Sequence, residues 1–237
     1  MNPSFNYYIH KWTQTLTKVE RINLGGYGIA AVTSLRGVVV AHDFLEACVR
    51  FWDPEAHVFR IGATWSELCP LFEEFCAIIG CNPDAPLVRN EVKVGNVRLF
   101  AKMFGFSLHE ANEVIADSEK VSLLKLMDRF REPNHDDLEY MLHRRRAFVF
   151  CLTAGFLFNR NPGFGDLSLC PLICQMEAGN CIGGIILAET IRSLDRASLG
   201  FANWTVTPII LQVLCDFAVV SPSSSFFTHQ RLINRSG

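Results

Sequence analysis

A thiol, an imidazole and a carboxylate within hydrogen-bond reach make an activated nucleophile, and residues 51–76 hold all three types. Cys69 and Cys76 offer the thiol, His57 the base and Asp53 the orienting acid. The same side chains ligate metals. A hydrolase or metal-dependent enzyme using His57 with Cys69 or Cys76 is therefore one reading of the stretch. Against it, no Gly-rich nucleophile elbow surrounds either cysteine. Glu73 and Glu74 are adjacent, so on a helix they diverge by about 100° and do not act as one carboxylate pair.

The nine cysteines are odd in number and irregularly spaced, which does not suit a disulfide framework. Six of them fall in two groups, Cys69, Cys76, Cys81 and Cys170, Cys174, Cys181. Structural zinc prefers two tight pairs, and neither group contains C-x-x-C. Buried free thiols that pack as small apolar groups are expected, with no metal and no cofactor.

Gly26-Tyr27-Gly28-Ile29-Ala30-Ala31 matches G-x-G-x-x-A, with Asp43 or Glu46 near the distance of a ribose acid. A dinucleotide site needs a buried strand before the first glycine, and Lys18 to Asn23 is too polar for one. A helix-entry turn is expected. His143-Arg144-Arg145-Arg146 is the one basic run, and nucleic-acid binding through Arg144, Arg145 and Arg146 is a further alternative. Four residues on one turn also fan around a helix, and Asp136, Asp137 and Glu139 lie close by, so a solvated helix end is expected. Glu189 has Arg192 and Arg196 at i+3 and i+7, the pattern of a partly buried ion pair that fixes packing.

The elements that must position these residues are mostly helices. Asp43-Phe44-Leu45-Glu46 has capping-box form and opens a short helix to about Phe51, stopped by Asp53-Pro54. A brief extended piece follows at 57–61. Leu68, Leu71, Phe72, Phe75, Ile78 and Ile79 then recur at helical spacing up to Gly80. Residues 91–97 read as a strand or a helix entry. Ser107-Leu108-His109-Glu110 is a second capping box, and residues 122–131 form a third short amphipathic segment. The longest helix is expected from Leu138 to about Phe158, capped by Asp136 or Asp137, with an apolar second half suited to the centre of a core. Three more helices are expected at 166–177, 182–196 and 207–220. Together these describe a mainly α, single multi-helix domain with at most a short hairpin or isolated strands.

Two blocks of residues carry a family resemblance. The first is Phe51-Trp52-Asp53-Pro54, Val58-Phe59-Arg60-Ile61, Glu67-Leu68-Cys69-Pro70, Glu73-Glu74-Phe75 and Ile78-Ile79-Gly80. The second is Ala147-Phe148, Gly155, Leu157-Phe158 and Ile186-Leu187-Ala188-Glu189-Thr190 with Ser193-Leu194. Their order and spacing resemble a plant domain of unknown function related to the plant mobile domain, over residues 25 to 220. The resemblance implies a helical domain of mobile-element ancestry, with relatives linked to nuclear silencing and meristem maintenance, and no established reaction. Some relatives are labelled aminotransferase-like, yet nothing around the six lysines supports a pyridoxal-phosphate site. The helix after Cys69-Pro70 departs from the pattern, since Leu71 stands where a capping Thr is usual.

The reading that follows is a non-enzymatic interaction module with an unknown protein partner. Trp52, Asp53, His57, Glu74, Arg144, Arg145, Arg146, Glu189 and Arg192 are its candidate interaction or structural positions. Residues 1–24 are expected as an N-terminal extension, 25–220 as the domain and 221–237 as a polar, disordered tail. A net charge of −2 supplies no global field for nucleic acid. No secretory signal and no 18-residue apolar run is visible, so a reducing compartment and no membrane are expected; the resemblance implies the nucleus, with the cytoplasm otherwise.

Overall fold

The computed structural model describes residues 3–35, 38, 40–61, 66–89, 97–117, 119–158, 161–201 and 204–220. The expected tail at 221–237 lies outside them, as does most of the 91–97 segment. Residues 138–158 form the axis of the molecule. Asp137 opens this helix by accepting the Tyr140 N–H at 2.9 Å. Numbered in chain order, it is α9 (Leu138–Leu152), and it runs into a π turn at Thr153–Leu157. Every residue from Ala147 to Leu157 is buried. A helix apolar on all sides belongs inside a core, which is where the sequence places it.

Helices α6 (Val97–Phe104), α8 (Leu123–Phe130) and α10 (Leu169–Glu177) pack against α9. Phe100, Phe104, Phe130 and Phe150 meet there with ring centroids 4.7–6.2 Å apart. Edge-on and tilted pairs at such distances add to simple area burial. Helix α7 (Leu108–Val114) starts at the predicted Ser107/Glu110 capping box. The amphipathic segment expected at 122–131 is α8, and Ser122 caps it.

A second layer is built around α11 (Gly183–Ser198), which packs on α4 (His42–Phe51) and α5 (Phe72–Ile79). Helix α12 (Ile209–Val220) covers α5 in turn. Two small antiparallel sheets complete the fold among the described residues: β1 (Trp52–Asp53), β2 (Val58–Ile61) and β3 (Ser66–Leu68), and β4 (Ile115–Asp117), β5 (Lys120–Ser122) and β6 (Phe164–Asp166). The chain is mainly α, as the sequence indicates. No helix among the described residues is long and apolar enough to cross a membrane.

Several boundaries differ from expectation for physical reasons. Residues 3–24 are not an extension. Helix α1 (Pro3–Thr15) buries Phe5, Ile9 and Trp12, and α2 (Lys18–Gly25) buries Glu20 and Leu24. The polar intervening residues hid that stripe. Helix α4 begins two residues earlier than predicted, with Ala41 as a cap that has no side-chain acceptor, so Asp43 sits inside the first turn rather than closing a box. Leu68 ends a strand instead of starting α5, because Cys69-Pro70 interrupts the helical spacing. Gly80 does stop α5, with a left-handed φ of 88°. The glycine motif follows a helix, not a strand: Gly26 caps α2, and the next helix, α3 (Val32–Leu35), is four residues long.

Candidate functional site

The hairpin of β1 and β2 pairs Trp52 with Phe59 and Asp53 with Val58, leaving a four-residue loop at 54–57. Asp53 Oδ1 shapes that loop by accepting the backbone N–H groups of Glu55 and Ala56 at 2.9 and 3.2 Å. Its Oδ2 receives Arg60 at 2.8 Å. The Ala56 and Glu55 amides, with Arg60 and His57 beyond them, hold the Asp53 carboxyl below its ordinary range.

His57 closes the loop at φ 53°, a conformation that costs a non-glycine side chain energy but that His adopts more readily than most. Two contacts hold its ring. It stacks on Trp52 with centroids 6.0 Å apart, and Nε2 lies 3.4 Å from Asp195 Oδ2. The Trp52 indole donates to Asp195 Oδ1 at 2.8 Å. Asp195 of α11 thus gathers the two residues, and sequence reading did not single it out. A spacing of 143 residues gave no signal for it.

An imidazole oriented by a carboxylate is half of a nucleophilic site. The cysteines proposed to complete it are engaged elsewhere. Cys69 is exposed, with its Sγ 3.6 Å from the Pro70 carbonyl. Burial, then the charge of Glu74, pushes its thiol upward in pKa, whereas an activated nucleophile is shifted down. Cys76 is fully buried among other thiols.

Glu74 is buried, at 5% exposed. Its Oε2 accepts the Leu71 N–H at 3.3 Å, which is half of a capping box. Leucine has no acceptor to return. Glu74 Oε1 is buried without a hydrogen-bond partner, and desolvation raises the carboxyl above its ordinary value. Of the large apolar residues here, Trp52, Phe59 and Phe75 are buried, while Phe51 is 46% exposed.

The basic run is not a solvated helix end. Arg144 is 0% exposed and forms an ion pair with Glu20. Its Nε donates to the Phe130 carbonyl at 3.0 Å, and its guanidinium lies 5.4 Å from the Trp12 ring centroid. Burial pulls the Arg144 pKa down and Glu20 works against that pull. Arg146 grips Glu177 at 2.9 Å, and Glu177 also accepts from the Tyr27 hydroxyl at 2.9 Å. Arg145 is half-buried and interacts with Tyr27. A guanidinium without exposed surface has no access to a phosphate backbone, so Arg144 is out of reach of nucleic acid.

Glu189 accepts from the Thr205 hydroxyl at 2.7 Å and pairs with the exposed Arg192 at 3.4 Å, the packing role its spacing suggests. Arg196 instead covers the Phe201 ring at 5.7 Å. Glu189 also borders a small cleft of about 90 Å³ with Phe158, Phe164 and Leu172. A wider groove of about 600 Å³ between α7 and α8 is lined by Glu110, Glu113, Lys125, Asp128 and Arg129. Arg129 pairs there with Glu110, Asp128 with Arg131, and Lys125 donates to the Glu113 backbone carbonyl.

The fold also joins cysteines from both sequence groups. Cys76, Cys81 and Cys181 place their sulfur atoms within 4.8 Å of one another, all three buried. The tight-pair rule missed them because two elements distant in the chain supply them. Comparison of the chain with family models, with curated proteins and with solved structures returns no match.

Proposed function

We propose that the protein is a non-enzymatic protein-interaction module of the plant mobile-domain type, derived from or associated with a mobile element and acting in nuclear complexes linked to silencing or development. The observation that carries this reading is the fate of its charged side chains. His57, Arg60, Arg144, Arg146 and Glu189 each close an internal contact that fixes one element on another. Polar groups used this way hold a surface in shape rather than meet a reacting atom. The ancestry rests on the two sequence blocks, and their contact in space supports it: Trp52 of the first block donates to Asp195, which directly follows Leu194 of the second.

The test is affinity purification of the tagged full chain from plant nuclei, with imaging of its location. A specific set of nuclear proteins, absent with an unrelated tagged helical protein, is the expected result. Exclusion from nuclei together with an empty specific fraction would overturn the reading. The rival enzyme is checked separately with a thiol-reactive activity probe: labelling of Cys69 that disappears in His57→Ala would favour catalysis over a module.

A further inference from the structure

Cys76 lies in α5, Cys81 just past the Gly80 stop, and Cys181 just before α11. Backbone hydrogen bonds fix all three. The Cys81 N–H donates to the Cys76 carbonyl at 3.0 Å. The Cys181 N–H donates to Pro86 O at 2.8 Å, and Val88 N–H donates back to Cys181 O at 3.0 Å. The sulfur of Cys181 lies 2.9 Å from that of Cys81 and 3.5 Å from that of Cys76. Nonbonded carbon atoms settle at about 3.5–4.0 Å and sulfur is larger, so 2.9 Å is a crowded contact for two thiols without a shared ligand. It is also well beyond the roughly 2.05 Å of a disulfide.

Two glycines keep space clear around these sulfurs. A Cβ on Gly183 would stand 2.6 Å from Cys76 Sγ and 3.3 Å from Cys181 Sγ. One on Gly28, which has φ +67°, would stand 2.8 Å from Cys81 Cβ. The Gly183 N–H points its hydrogen at Cys181 Sγ across 3.4 Å, and it belongs to the first residue of a 16-residue helix whose positive end favours negative charge. Buried cysteines that only pack are different: Cys151 and Cys170 are equally enclosed and have no place in the cluster.

We propose that Cys76, Cys81 and Cys181 form a three-thiolate site for a thiophilic d10 cation, Zn2+ or Cu+, which ties the end of α5 to the start of α11. Tetrahedral thiolate coordination at about 2.3 Å sets neighbouring sulfurs about 3.8 Å apart; Cys76 and Cys181 stand near that at 3.5 Å, Cys81 and Cys181 are closer at 2.9 Å, and all three sulfurs lie within 4.8 Å of one another. Soft thiolates select these ions over hard ones. On binding, each coordinating thiol loses its proton to solvent and no electrons move.

The test uses the full chain, stripped with a chelator under reducing conditions. It is titrated with Co2+ as a zinc stand-in and, separately and anaerobically, with Cu+ against a competing chelator. About one ion per chain is expected, with a sulfur-to-metal charge-transfer band and a melting temperature raised by several degrees. Tetrahedral Co2+ ligand-field bands would identify a zinc-type centre; Cu+ uptake without Co2+ uptake would identify a trigonal one. Cys181→Ser and Cys81→Ala lose the band, and Cys170→Ala keeps it. Should either cluster variant fail to fold, the wild-type band and its chelator-dependent melting decide by themselves. Wild type that takes up neither ion, or a folded Cys181→Ser that still shows the band, overturns the site.

Discussion

Arg144 and Glu20 form a pair whose members need each other. Both are buried, and removing one partner of such a pair leaves an uncompensated charge at a cost of about 3–5 kcal/mol. Glu20→Ala is therefore expected to lower the urea midpoint sharply, while Glu20→Leu with Arg144→Met restores much of it. A double-mutant cycle by urea unfolding measures this coupling. Glu74 works in the opposite sense. Its pKa is raised in the fold, so between the ordinary carboxylate value, about 4.3, and the higher folded value the native state binds more protons than the unfolded chain. Stability then falls as pH rises through that window and stays lower at neutrality. Glu74→Gln is expected to raise the melting temperature at pH 7 and flatten that decline, as seen in thermal melts across pH 4–8. At His57, Gly should be nearly neutral, because relief of positive φ offsets the lost ring contacts, and Val should destabilise because a branched side chain resists that conformation. At this scale the sequence misled most. Arg144 looks like surface because its acid stands 124 residues away, and the thiol cluster is invisible because spacing rules describe local pairs only.

Among elements, α1 rests on one small residue. A Cβ at Gly155 would lie 2.1 Å from Phe5 Cζ and 2.5 Å from Phe5 Cε1, so Gly155→Ala must push the helix away from the π turn. The expected cost is about 1–3 kcal/mol, with faster amide exchange confined to residues 3–15 at first. Hydrogen-exchange mass spectrometry would show it, and uniform loss of protection over the chain would contradict it. Local signals were legible where they were chemical. Ser107 and Asp137 cap their helices and Gly80 ends α5 because each side chain, or its absence, acts within four residues. Strands β4–β6 were not legible, because three-residue strands carry almost no period and β6 joins the other two across the whole of α9.

The molecule's class follows from its long apolar segments, and the central position of 138–158 was legible because a helix apolar on every side has nowhere else to go. The outer limits were not, since docking of residues 3–24 depends on partners in α8 and α9 that no local pattern names. Phe5 meets Gly155 only after about 150 further residues have been made. At roughly 5–20 residues per second during synthesis, α1 waits about 7–30 s with Phe5, Ile9 and Trp12 uncovered. Helix α1 is thus made well before the turn that covers it. Nascent chains halted before Gly155 should cross-link through Trp12 to apolar-binding chaperones and lose that contact once the π turn has emerged.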